Sequence, residues 1–94
     1  MRARLTDDQA DAHLTACPHW TRTGDVIARV VECPDFAAAI AFVVRVGFLA
    51  EAKDHHPDID IRWRTVRLAL TTHDLGGLSE WDFELAVEID AVVP

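Results

Sequence analysis

The chain has 94 residues, half of them hydrophobic, a formal net charge of −7 and two cysteines. That length suits one small domain, 1–94, with a folded core rather than disorder. The negative charge argues against a nucleic-acid partner, and no run approaches the ~18 apolar residues of a membrane span.

Cys17 and Cys33 stand alone, without CxxC spacing or a signal peptide before them. Two free thiols in a reducing cytoplasm are therefore expected. A domain this small buries a limited share of its surface, which makes oligomerisation a natural source of stability.

Met1 to Arg4 read as a tail. Thr6 can cap a helix, with Gln9 as its capping-box partner and Asp7 and Asp8 at the positive end. The helix should run to about Leu14 and stop at Cys17-Pro18. His13 on it reads as a surface or packing residue. His19 to Arg22 reads as a first strand, with Trp20 in the core or at a subunit contact. Thr23-Gly24-Asp25 makes a turn, and the β-branched run Val26 to Glu32 completes a hairpin.

Cys33-Pro34-Asp35 opens the longest helix, which should reach about Lys53; Pro34 and Asp35 suit a first turn. Phe36, Ile40, Val43, Val44 and Gly47 line one stripe, read as core packing. Phe42, Val46, Leu49 and Ala50 cover much of the rest. A helix apolar most of the way round is buried on two sides, one against the sheet and one against a partner helix or subunit.

Ile59, Ile61 and Trp63 alternate with Asp60, Arg62 and Arg64, predicting a strand with one buried face. Val66, Leu68, Leu70 and Thr72 alternate with Arg67, Ala69, Thr71 and His73 in another, with Arg64-Thr65 between them. Gly76-Gly77 then permits a sharp turn. Ser79 caps the last helix with Asp82 at its third position, and Leu78 can staple to Phe83. Leu85, Ala86, Ile89 and Val92 or Val93 share its apolar face, and Val92 to Pro94 should fray. The order is α-β-β-α-β-β-α: an α+β class domain, a four-stranded antiparallel sheet with its helices on one face.

Asp54 to Leu78 carries the chemistry. It holds His55, His56 and His73, three of five histidines, amid Glu51, Asp54, Asp58, Asp60 and Asp74. Imidazole titrates near pH ~6.5, so such a cluster can give or take a proton at neutral pH. Pro57 biases His56 toward extended geometry, where neighbouring side chains diverge, so His55 and His56 should play different parts. Three histidines with Asp74 could also ligate a metal, but the spacing matches no standard zinc pattern.

Asp54-His55-His56-Pro57, a strand pair, Thr72-His73-Asp74, Gly77-Leu78 and Asp82 together resemble the pterin-4a-carbinolamine dehydratase family. More loosely, the resemblance runs from Trp20 to the C-terminal helix. It departs at Arg64, where members often carry Asn, and at Trp81, where a basic residue is common.

The resemblance implies dehydration of 4a-hydroxytetrahydropterin to a quinonoid dihydropterin, in a homodimer or homotetramer, with no metal and no cofactor beyond the pterin substrate. His55 and His73 would protonate the departing hydroxyl, one for each face of C4a. His56 would bind the ring and serve as base. Glu51, Asp54, Pro57, Asp74 and Asp82 would support the site, with a simple helix cap as the alternative role for Asp82, and Trp20 could alternatively stack on the pterin. Some relatives of this fold bind other proteins, so a non-catalytic dimerisation or assembly module is the alternative.

Overall fold

The computed structural model describes residues 3–94. Its elements are α1 (Asp7–Leu14), β1 (Thr21–Thr23), β2 (Val26–Glu32), α2 (Phe36–Lys53), β3 (Asp58–Arg62), β4 (Thr65–Leu70), a 3-10 turn (His73–Leu75) and α3 (Glu80–Asp90). The four strands form one antiparallel sheet, as the sequence pattern predicts, and their order in it is β1-β2-β4-β3.

Register explains the two faces. Ile27 lies opposite Leu70, and Val31 opposite Val66. With Leu68 these residues are buried beneath the helices. The alternate positions, Val30 opposite Arg67 and Glu32 opposite Thr65, face away. From α3 come Phe83, Leu85, Ala86 and Ile89, and α2 contributes Ala39, Phe42, Val46 and Ala50. The two thiols, Cys17 and Cys33, are unpaired and lie in the same core.

Both capping boxes form. Thr6 and Gln9 exchange bonds of 3.2 and 2.9 Å at α1, and Ser79 and Asp82 do the same at α3. His13 packs against Phe83, ring centroids 5.2 Å apart. Trp20 is buried, and its Nε1 donates to Asp90 Oδ1 at 2.8 Å. The same oxygen accepts from Arg29 of β2, so Asp90 ties the end of α3 to the sheet.

Several local expectations are corrected. Asp35 is the N-cap itself, its carboxylate accepting from Ala38 N at 2.7 Å, so Pro34 lies outside α2. Most of the stripe read as core points outward: Phe36, Ile40 and Val44 are exposed, with Phe48 in the same row, whereas Val43 packs against the core and Ala39, Phe42, Val46 and Ala50 are buried. The first strand starts at Thr21, after Trp20 has turned into the core. β3 is an edge strand with Ile59 exposed.

Trp63 belongs to the hairpin turn. Arg62 pairs with Thr65, which leaves Trp63-Arg64 as a two-residue loop. Such a loop calls for positive φ, and Trp63 adopts φ 53° in place of the usual Gly or Asn. β4 ends at Leu70; Thr72 continues as a bridge to Gly77 around the 3-10 turn.

At the termini, Met1 and Arg2 of the expected tail lie outside the described residues. Arg4 pairs with Asp25 at 3.0 Å, and Leu5 N donates to Leu78 O at 2.8 Å. Val92 and Val93 pack against the core rather than fray.

Candidate active site

The site forms where the end of α2 meets the start of α3. Asp54 caps α2 in a left-handed conformation, φ 50°, and its N–H bonds back to Ala50 O and Glu51 O. This turns the chain sharply, and His55 N closes the motif on Ala50 O at 3.0 Å. The two histidines that follow then diverge. His55 Nε2 lies 2.6 Å from Asp82 Oδ1, while His56 Nε2 lies 2.8 Å from Glu51 Oε1, one helical turn back.

The two pairs differ in solvent access. The Asp82 side chain is 0% exposed and that of His55 12%, whereas His56 is 57% and Glu51 78% exposed. Asp82 Oδ2 accepts from Thr72 Oγ1 at 2.9 Å and from Ser79 N at 3.0 Å. Thr72 spends its proton there, so the 2.7 Å contact between Thr72 and Ser79 hydroxyls is donated by Ser79. With Oδ2 occupied by two donors, Oδ1 is left to accept from His55 Nε2–H. The ring is thereby fixed, and Nδ1 is its free nitrogen.

His73 opens the 3-10 turn, which ends at Gly76 with φ 67°, a conformation suited to glycine. It joins His55 and His56 in lining one cleft of about 370 Å³, with Asp54, Asp74, Lys53, Thr71, Thr72 and Trp81 completing the wall. All three histidines singled out in the sequence therefore meet. Asp54 and Asp74 line the cleft, and Glu51 and Asp82 reach it through their histidines. Pro57 is half-buried and outside the lining; it leads into β3. Among the described residues, no three His, Cys, Asp or Glu side chains converge as a metal-ligand set.

Sequence reasoning did not single out Thr72, Ser79, Lys53 and Thr71 as part of the site. Thr72 sat within a strand pattern and Ser79 within a capping motif. Only the fold shows that the Thr72 hydroxyl and the Ser79 N–H both donate to the carboxylate behind His55.

The fold and cleft define a small α+β protein that gathers three histidines in one cleft, two of them held by carboxylates. The profile of the pterin 4 alpha carbinolamine dehydratase family matches residues 3–92. A Roseiflexus sp. (strain RS-1) protein, provisionally named pterin-4-alpha-carbinolamine dehydratase, is 54% identical over 99% of this chain and 100% of its own. A Mycobacterium sp. (strain JLS) protein with the same provisional name is 53% identical over 97% of each chain. The chain belongs to the pterin-4-alpha-carbinolamine dehydratase family.

Solved structures agree on the fold. The crystal structure of a transcriptional coactivator/pterin dehydratase from Brucella melitensis superimposes with a TM-score of 0.93 at 29% identity, covering 97% of this chain and 99% of its own. A pterin dehydratase-like protein described as a RuBisCO assembly factor in the alpha-carboxysome shares the fold with a TM-score of 0.65 at 21% identity, over 79% of this chain and 86% of its own.

Proposed function

We propose that the protein dehydrates 4a-hydroxytetrahydropterin to the quinonoid dihydropterin and water, as a step in pterin cofactor recycling. The observation that carries this reading is the meeting of His55, His56 and His73 in one cleft, two of them held by carboxylates. The reaction breaks the C4a–O bond and forms the N5=C4a double bond. One proton joins the departing hydroxyl, which leaves as water, and one leaves N5. Two proton transfers complete the balance, so neither metal nor redox cofactor is required.

In this reading His55 acts as the imidazolium: Asp82 holds its Nε2–H, and the second proton, on Nδ1, passes to the departing hydroxyl. Asp82 is a positioning residue. His73 donates to a hydroxyl on the other face of C4a. His56, steadied by Glu51 at the open rim, binds the ring and takes the N5 proton. Asp54 and Asp74 border the polar edge of the substrate. The protein would act as a homodimer or homotetramer; its two unpaired, buried thiols suit a reducing cytoplasm. The testing experiment is the dehydration rate of chemically generated 4a-hydroxytetrahydropterin. Acceleration well above buffer supports the assignment, and a rate equal to buffer removes it.

A second reading has one observation in its favour. The outward row Phe36, Ile40, Val44 and Phe48 is an apolar surface of the kind that protein interfaces cover. It suits an assembly module, the role described for the carboxysomal protein of like fold. That role needs no histidine cleft, so the enzyme reading accounts for more of the structure.

A further inference from the structure

The residues that line the cleft are mostly charged or hydrogen-bonding ones. Among the described residues that line it, Trp81 is the one large apolar side chain; every other lining residue is charged, a histidine or a threonine. Trp81 is the second residue of α3, immediately before Asp82. The same helical turn therefore sends a carboxylate behind His55 and an indole beside it. The indole keeps 36% of its surface exposed. Its ring centre lies 6.2 Å from that of His55, the two planes tilted by 45°.

A pterin ring has two chemically different surfaces. Its edge carries nitrogen and oxygen donors and acceptors, which the polar wall can satisfy. Its faces are flat and conjugated, and they gain by leaving water for an aromatic surface. The largest and least polar such surface in the cleft is the indole of Trp81. We propose that Trp81 is the stacking platform for the pterin ring, setting substrate affinity and holding C4a within reach of the histidines. This rests on the dehydratase reading above. It makes Trp81 a binding residue that acts on the ring face, while the histidines act at the reacting atoms.

The test uses oxidised pterin, which stacks but cannot dehydrate, titrated by calorimetry into the intact protein. Trp81→Ala should weaken binding about tenfold or more, the usual scale for losing one aromatic stacking partner of a base-like ring. Trp81→Phe should restore affinity to within about threefold of the native protein, because a flat ring is what the site requires. In the dehydration assay KM should rise in Trp81→Ala by a similar factor, with kcat changed much less.

Thermal melts identify any variant whose fold is damaged. Equal affinity of native protein and Trp81→Ala would overturn the proposal while leaving the enzyme assignment intact. Phe as weak as Ala would overturn it too, since the ring would then not be the cause. A change confined to kcat and its pH profile would also overturn it, assigning Trp81 to shielding the His55–Asp82 bond. Failure of the native protein to bind pterin would instead bring down the underlying substrate reading, and this inference with it.

Discussion

Asp82 Oδ1 stands 2.6 Å from His55 Nε2 across 27 residues of sequence, inside a carboxylate that has no exposed surface. Its other oxygen is already committed to Thr72 and Ser79. Asp82→Asn should keep the fold and impair the chemistry. The amide oxygen must take the place of Oδ2 to accept those two donors, which turns the NH2 toward Nε2. Nε2 must then accept rather than donate, so the ring can no longer be held with protons on both nitrogens, the form that gives up the Nδ1 proton. We expect kcat to fall by about 10²-fold with little change in the melt. Asp82→Ala removes the cap and strands both donors, so it should cost about 2–4 kcal/mol by urea titration.

The three histidines should not be equivalent. His55→Ala or His73→Ala should slow one C4a stereoisomer far more than the other, by roughly the 10²–10⁴-fold that general acid catalysis supplies. His56→Ala should weaken binding and slow both isomers alike. Rates for each separated isomer, with circular dichroism as the control for folding, decide this. Equal slowing of both isomers by all three variants would remove the division of labour.

Phe48 is 74% exposed on a helix whose outward row is apolar for three turns. We expect the chain to self-associate through this row. Light scattering at micromolar concentration should report an oligomer, and Phe48→Glu should shift it toward monomer. A native protein that is already monomeric would contradict the expectation.

Burial pushes the thiols of Cys17 and Cys33 above their ordinary value of 9.0, helped by the charge of Asp90 at Cys17 and of Glu32 and Asp35 at Cys33. A raised value means that the folded state holds the proton more tightly than the unfolded state. That contribution to stability is complete below the unfolded value and is lost as pH climbs toward the folded value. The urea midpoint should therefore decline as pH rises above about 9.0. Both thiols should resist a disulfide reagent in the native protein and react once it is unfolded.

Prolonged dialysis against chelator should leave dehydration activity unchanged. Two proton transfers close the chemical balance, and the Nε2 atoms of His55 and His56 are engaged by carboxylates. Activity lost to chelator and restored by zinc would contradict this.

What the sequence made legible was local or strictly periodic. Thr6 with Gln9, and Ser79 with Asp82, announce helix starts because the motif fits within one turn. Val66, Leu68 and Leu70 announce a buried face because a strand has period two. By contrast, the burial phase of α2 was illegible: a helix apolar on nearly all sides gives no preferred direction, so Phe36 and Val44 looked like core as much as Phe42 and Val46. Trp63 hid the turn because nothing in its chemistry marks a left-handed position. In the site, the motif identified His55, His56 and His73. The bond from His55 to Asp82 depends on how α3 docks, which no local spacing encodes.

The anchoring of the sheet and of His55 by α3 has a consequence for how the molecule is made. A ribosome delivers this chain from the N-terminus. The histidines at positions 55, 56 and 73 emerge before Asp82, and the Trp20 and Arg29 side chains emerge long before Asp90, their shared acceptor. Phe83, Leu85, Ala86 and Ile89 complete the core only then. Until α3 has left the exit tunnel, the core face of the sheet lacks the part of its cover that α3 supplies, and His55 has no carboxylate behind it. The candidate site therefore assembles only once α3 has docked, and a stalled chain lacking α3 carries the three histidines without the carboxylate that orients His55.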